Sequence, residues 1–244
     1  MTEKKQQPAL YGGQAVIEGV MIRGRRTIAL ACRKPNGEIY RYREPLRSPL
    51  TRSRIARLPF VRGVVVLWES LSYGVRMLMK SADVQLEHEE QLGKGGNTLI
   101  MGVALVGALL LFIGVPYVAT SLARAAIDNS VVLNVTEGLI RLALLIGYLV
   151  AISFLPDVRR VFAYHGAEHM TIHAFEHGDP LTPARIEPYP TAHPRCGTAF
   201  LLLVAPGLLL QRVTTRRPDA RMIEVAVASL EEAIAGDREA EAAA

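Results

Sequence analysis

The sequence predicts a mainly α-helical integral membrane protein with two transmembrane helices, amphipathic helices and a small N-terminal β-hairpin sheet. Three observations carry that expectation. Half of the 244 residues are apolar, and the excess is concentrated in two places. The run from Thr98 to Ala119, TLIMGVALVGALLLFIGVPYVA, is free of charge and long enough to cross roughly 30 Å of hydrocarbon. Near the beginning, RTIALACRK and EIYRYREP alternate on either side of Pro35-Asn36-Gly37, the pattern of two strands around an Asn-Gly turn.

The elements follow in chain order. MTEKKQQPAL is polar and lacks the apolar stretch of a secretory signal, so the N-terminal region is expected to stay in the cytoplasm. Gly12-Gly13-Gln14 and Glu18 fit neither the P-loop nor the dinucleotide-binding spacing, and read as a tight glycine turn leading into a strand or loop. The hairpin region is assigned to residues 1–52, with positive φ expected at both Asn36 and Gly37. Residues 53–97 hold an amphipathic helix and a linker. From Ser53 to Lys80, Ile55, Leu58, Val61, Val64, Val65, Trp68, Leu71, Val75, Met77 and Leu78 recur near helical spacing, as in a helix lying on a membrane or on other helices. QLEHEEQLGKGGN then links to the first span.

Residues 98–155 form the transmembrane hairpin. Its second span, Leu133 to Leu155, carries Glu137 and Arg141 near its beginning, where they can pair or snorkel. Residues 1–80 hold sixteen Lys and Arg against five Asp and Glu, whereas the link between the spans holds only Arg124 and Asp128. By the positive-inside rule both termini are cytoplasmic, with Arg159 and Arg160 at the exit of the second span. The net charge of +5 then reflects attraction to anionic lipid. No interleaving of aromatics with Arg marks a nucleic-acid surface. Cys32 and Cys196 both fall on the cytoplasmic side, where a structural disulfide is not expected.

Residues 156–244 are expected to hold a histidine-rich helix, a proline-rich loop without regular structure, a short apolar segment and a C-terminal helix with a frayed EAEAAA tail. Pro156-Asp157 is a start signal and Gly178-Asp179-Pro180 a stop. FLLLVAPGLLL, residues 200–210, is too short to span and reads as interfacial, re-entrant or buried.

The bracketed helix contains His165, His169, His173 and His177, four of the six histidines, at a spacing of four. Residues four apart differ by about 40° in azimuth, so His165 and His169 can reach one ion. His165-Gly166-Ala167-Glu168-His169 is an H-x-x-E-H arrangement, in which two histidines bind zinc or another divalent metal and the glutamate takes a proton from water. A further ligand is needed, and His193 and Cys196 of His-Pro-Arg-Cys are the leading candidates, with His173 as another. Unused ring nitrogens should meet a carboxylate or a backbone carbonyl. His177 fits a helix end, where a cationic ring complements the dipole. The bland alternative is that the ladder is only the wet face of a helix rich in histidine.

YGGQAVIEGVMIRG, LPFVRGVVVLWESL, VRRVFAYHGAEHMTIHAFE, HPRCGTAFLL and PGLLLQRVTTRRPDARMIEVAVASL together resemble the YqhQ family of bacterial membrane proteins. The resemblance implies a multi-pass protein of the bacterial inner membrane and a domain of unknown function described as a metal-dependent enzyme. Members carry further hydrophobic segments between the HPRCGT and PGL blocks, and here Phe200 and Pro206 are nearly adjacent. Two functions are therefore expected: a membrane-bound metal-dependent hydrolase, or a non-catalytic accessory that partners a translocation or insertion complex. A water position left open favours the first, a closed four-ligand site the second.

Overall fold

The computed structural model describes residues 11–46, 58–86, 94–124, 127, 129–194, 196 and 205–243. The chain forms two units: residues 1–87 with 156–244, and residues 88–155. The stretches expected as N-terminal hairpin, amphipathic helix and C-terminal region thus belong to one body.

That body is built on an antiparallel sheet of four strands in sequence order, β1 (Gly12–Val16), β2 (Gly19–Arg23), β3 (Thr27–Arg33) and β4 (Ile39–Pro45). The expected hairpin is β3–β4, paired from Thr27↔Pro45 to Arg33↔Ile39. Its turn differs from expectation at Asn36. Gly37 alone has positive φ, 90°, because the Gly37 N–H donates to the Lys34 carbonyl at 2.9 Å and the Lys34 N–H to Glu38 at 2.9 Å. Those bonds make a longer turn with Pro35 and Asn36 at its centre and the left-handed residue after them, so the two-residue geometry does not arise.

The sheet exceeds expectation because Gly12-Gly13-Gln14 is strand and not turn, and β1–β2 is a second hairpin. It closes at Glu18, whose φ of 51° is unusual for a residue with a Cβ. The Glu18 carboxylate is held by the Arg160 guanidinium and accepts from the Tyr164 hydroxyl at 3.3 Å.

Period-two alternation sends Val20, Ile22, Ala29 and Ala31 to one face, against α5 (Pro156–His177) and the C-terminal helix. Val16, Met21, Ile28 and Leu30 go to the other face, against Tyr73 and Met77 of α1 (Pro59–Gln85). The C-terminal helix, Ala220–Ala242, is long and includes most of the tail expected to fray. Its far end is anchored by buried Asp237, which accepts the Arg25 and Arg26 N–H groups at 2.7 and 2.8 Å. Asp219 caps its beginning through the Met222 N–H at 2.8 Å.

Helix α1 starts at Pro59, a residue suited to a first turn; residues 53–57 lie outside the described residues. It meets the sheet side through Glu69, Tyr73, Met77 and Ser81, and Glu69 pairs with Arg23 at 3.0 Å. Val64, Trp68, Leu71 and Val75, on the opposite side, are exposed.

In the second unit, α2 (Lys94–Leu109) passes through a π-helical turn at Leu110–Gly114 into α3 (Val115–Ala123). Pro116 lies just beyond that turn, and a widened turn relieves the clash of its ring with the preceding carbonyls. Helix α4 (Ser130–Ile152) is capped by Asn129, which accepts from the Val131 and Val132 N–H groups. Gly102–Ala123 and Ser130–Ile152 are each long and apolar enough to cross a membrane. Phe112 and Tyr148 meet edge to face at 5.5 Å, and Glu137 pairs with Arg141 one turn away.

Of the stretch expected as a linker, residues 87–93 lie outside the described residues, while Gln85 ends α1 and residues 94–97 already belong to α2. The proline-rich stretch, expected without regular structure, holds among its described residues a short helix, α6 (Pro183–Ile186). Of the short apolar segment, 200–204 lie outside the described residues; from Ala205 to Thr214 it is helix α7, in which Leu210 and Gln211 are buried. The Ala220–Ala242 helix is α8.

Candidate metal centre

The histidine ladder is not a wet face. Helix α5 is buried from Tyr164 to Ala174 except at His165 and His173, with Glu168 4% and His169 3% exposed. A helix so enclosed must satisfy its polar side chains within the protein.

Gly166 makes one enclosure possible. A Cβ there would lie 2.1 Å from the Arg216 carbonyl oxygen, and the Arg216 N–H donates to the Phe162 carbonyl at 2.9 Å. The segment after α7 can therefore press directly on α5. It brings the Thr214 carbonyl to His165 Nδ1 at 2.9 Å, while the loop after α6 brings the Thr191 carbonyl to His169 Nδ1 at 2.6 Å. A carbonyl can only accept, so each Nδ1 carries the proton and each Nε2 is free to act as a ligand.

The two rings are 4.4 Å apart at their centroids. Cys196 Sγ lies 3.4 Å from His165 Nε2, and one ligand atom from each of His165, His169 and Cys196 falls within 4.8 Å of the others. Donors around a tetrahedral zinc stand about 3.4 Å apart, so Cys196 and His165 are already at that spacing and the widest pair of the trio would close by up to about 1.4 Å to hold such an ion.

Glu168 stands beside the trio, with Oε2 3.5 Å from His169 Nε2 and Oε1 accepting the Gly13 N–H at 2.9 Å. Burial raises the Glu168 pKa, outweighing the lowering by His169 and His165. For His165, burial pulls the other way, but the hydrogen bond to Cys196 and that group's charge, with Glu168, leave its pKa above the ordinary value.

His193 and His173 stand outside the trio. The His193 ring is 5.7 Å from that of His169 and 4.5 Å from that of His173, and its Nε2 is 3.7 Å from Glu176 Oε2. Burial, then His173 and His169, push its pKa down to about 4, so it is neutral at physiological pH. His173 Nε2 meets the Ala192 carbonyl at 3.0 Å, and His177 is exposed at the helix end.

Several site residues escaped the sequence reading. Buried Gln211 grips the His193 backbone, accepting its N–H at 2.8 Å and donating to its carbonyl at 2.9 Å, and so fixes the His-Pro-Arg-Cys loop. A lone amide in the apolar text LLLQRV was the available signal. Gly13 was read as a turn residue, yet it holds Glu168. Thr191 and Thr214 act through backbone carbonyls, which no side-chain pattern reveals.

The two cysteines differ sharply. Cys32 is fully buried in β3, and burial pushes its pKa up to about 11; Cys196 is partly exposed. Iodoacetamide at pH 8 on metal-free protein is expected to alkylate Cys196 at least about ten times faster than Cys32, read by peptide mass. Equal rates would contradict this packing.

A family model described as "Protein of unknown function (DUF1385)" matches residues 58–205 and 202–236, and the chain belongs to this family. The two stretches overlap at 202–205, where the HPRCGT and PGL blocks come together. Among its relatives, "Uncharacterized protein YqhQ" of Bacillus subtilis (strain 168) is 32% identical over 214 residues, covering 82% of this chain and 67% of that protein. No solved structure matches.

Proposed function

We propose that the protein is a metal-dependent hydrolase of the bacterial inner membrane, holding zinc or a similar divalent ion on His165 Nε2, His169 Nε2 and Cys196 Sγ. The observation that carries this is the convergence of these three atoms within 4.8 Å while both Nδ1 atoms are committed to backbone carbonyls. An ion bound there supplies Lewis-acid activation of water. Glu168 is the general base. The Gly13 N–H fixes Oε1, so Oε2 is the oxygen presented to a water beside His169.

A closed four-ligand site would favour the accessory-protein reading. His193 would have to supply the fourth ligand, and the proximity of its Nε2 to Glu176 favours a three-ligand site with one position open.

Titration of the purified protein with zinc tests the reading. One ion per chain is expected, with His165→Ala and His169→Ala each weakening binding by at least about 100-fold and His177→Ala leaving it unchanged. Zinc should also protect Cys196 from alkylation. A wild type that binds no zinc, or an equal loss in His177→Ala, sinks it.

Both candidate spans are proposed to cross the membrane with the termini in the cytoplasm, since basic residues flank the pair and avoid the link. A cysteine at Asn129 should then react with a membrane-impermeant maleimide in intact cells and one at residue 5 should not; the reverse pattern overturns the orientation.

A further inference from the structure

We infer that the substrate of this site is an extended polypeptide, docked along the outer edge of β1 so that its backbone passes Glu168. The inference deepens the hydrolase reading and rests on it for the chemistry, though not for the docking.

The sheet order places β1 at an edge, with β2 as its strand partner. In an antiparallel pair the backbone groups of alternate residues turn away from the partner strand. On β1 the outward set is the odd-numbered one, since Gly13 donates its N–H to Glu168 and Ile17, just past the strand, donates to Ser81 Oγ at 3.1 Å. A cavity of about 440 Å³ borders this edge, lined by Tyr11, Gly12 and Gly13 on the strand side and by Glu168, His169 and Cys196 on the other. That volume accommodates a short stretch of an extended segment, the remainder running on along the strand edge. An added strand is the ligand whose N–H groups match carbonyls presented at a strand edge.

Two glycines in a strand weaken it, and they often mark a place where another backbone approaches closely. They do different jobs here. A Cβ at Gly13 would strike the Met21 carbonyl oxygen at 2.0 Å, so Gly13 is required by the fold itself. A Cβ at Gly12 meets nothing within 4 Å among the described residues, although Gly12 is exposed and borders the cavity. The fold does not need glycine there, and without a side chain Gly12 leaves that part of the cavity open to a docked segment. Met21, Ile28 and Ile172 form an apolar part of the lining, suited to an apolar side chain of the docked segment. In the cleavage step the amide C–N bond breaks and a C–O bond forms; Glu168 takes the water's proton and passes it to the leaving nitrogen.

The test uses the full chain in detergent with a pool of end-capped decapeptides carrying apolar central residues. For wild type loaded with zinc, cleavage beside the apolar residue is expected. Gly12→Leu should keep its circular dichroism and its zinc stoichiometry yet lose at least about tenfold in kcat/KM. In Glu168→Gln, where turnover is blocked, the peptides should slow amide hydrogen exchange in residues 11–15. Zinc bound with peptides uncut and exchange unchanged overturns the inference while leaving the metal site standing, as does a Gly12→Leu variant that cleaves the peptides at the wild-type rate. Absence of zinc overturns the hydrolase reading instead, and the exchange measurement, which needs no metal, then decides the docking by itself.

Discussion

Glu168→Gln is expected to bind zinc like the wild type and to lose turnover by at least about 100-fold, because an amide cannot take the proton that a carboxylate can. The substitution is nearly isosteric, and the carbonyl oxygen of the glutamine can still accept the Gly13 N–H that holds Oε1. Metal content by mass spectrometry and the decapeptide assay, run on the same preparation, separate the two effects. A variant that retains full turnover would remove Glu168 from the chemistry. A variant that loses its zinc would instead make the carboxylate a ligand.

The second large effect is expected at a residue with no chemistry of its own. Gly166→Val places a branched side chain where even a Cβ lies 2.1 Å from the Arg216 carbonyl oxygen. Neither side can yield cheaply: α5 is enclosed, and the opposing atom is backbone whose own N–H is bonded to Phe162. The segment from Thr214 to Arg216 has to move off, taking with it the carbonyl that orients His165. Destabilisation of more than about 3 kcal/mol is expected from such overpacking, together with a loss of zinc affinity of about 10- to 100-fold from the lost orientation of His165. Denaturant unfolding and zinc titration read the two parts. Wild-type stability in this variant would mean that the close approach is not part of the native packing.

Much of the candidate site was legible in the sequence because its parts are local. The i, i+4 spacing of His165 and His169 and the adjacent Glu168 follow from one helical turn, and the start at Pro156 and stop at Gly178 bracket that helix as its punctuation indicates. Cys196 was legible as chemistry, since a thiol three residues after a histidine is a plausible ligand wherever the loop goes. What stayed hidden depends on distant pairing. Gly13 and Glu168 are 155 positions apart, and Gly12-Gly13 resembled a turn because strand interiors rarely carry paired glycines. Thr191 and Thr214 contribute only main-chain oxygens. The long C-terminal helix looked frayed because Asp237 resembles a solvent residue until its two backbone donors from the β2–β3 turn are known. The apolar pattern of α1 was visible, but the sheet is met by Glu69, Tyr73, Met77 and Ser81, leaving the more apolar side exposed.

The body that carries the site is interrupted by both candidate spans, and this sets an order of events during synthesis. Val20, Ile22, Ala29 and Ala31 leave the ribosome early, yet the helices that cover them are made last; Ser229 of α8 donates to the Ala29 carbonyl across 200 positions of sequence. At a synthesis rate of about 5–20 residues per second, that separation corresponds to a delay on the order of 10–40 s. During that interval the strands present an open apolar surface while the two candidate spans are being made. The final helix closes the sheet and, through the segment just before it, seats His165, so a ribosome that stalls before Thr214 leaves behind a nascent chain with an uncovered sheet and an unfinished site.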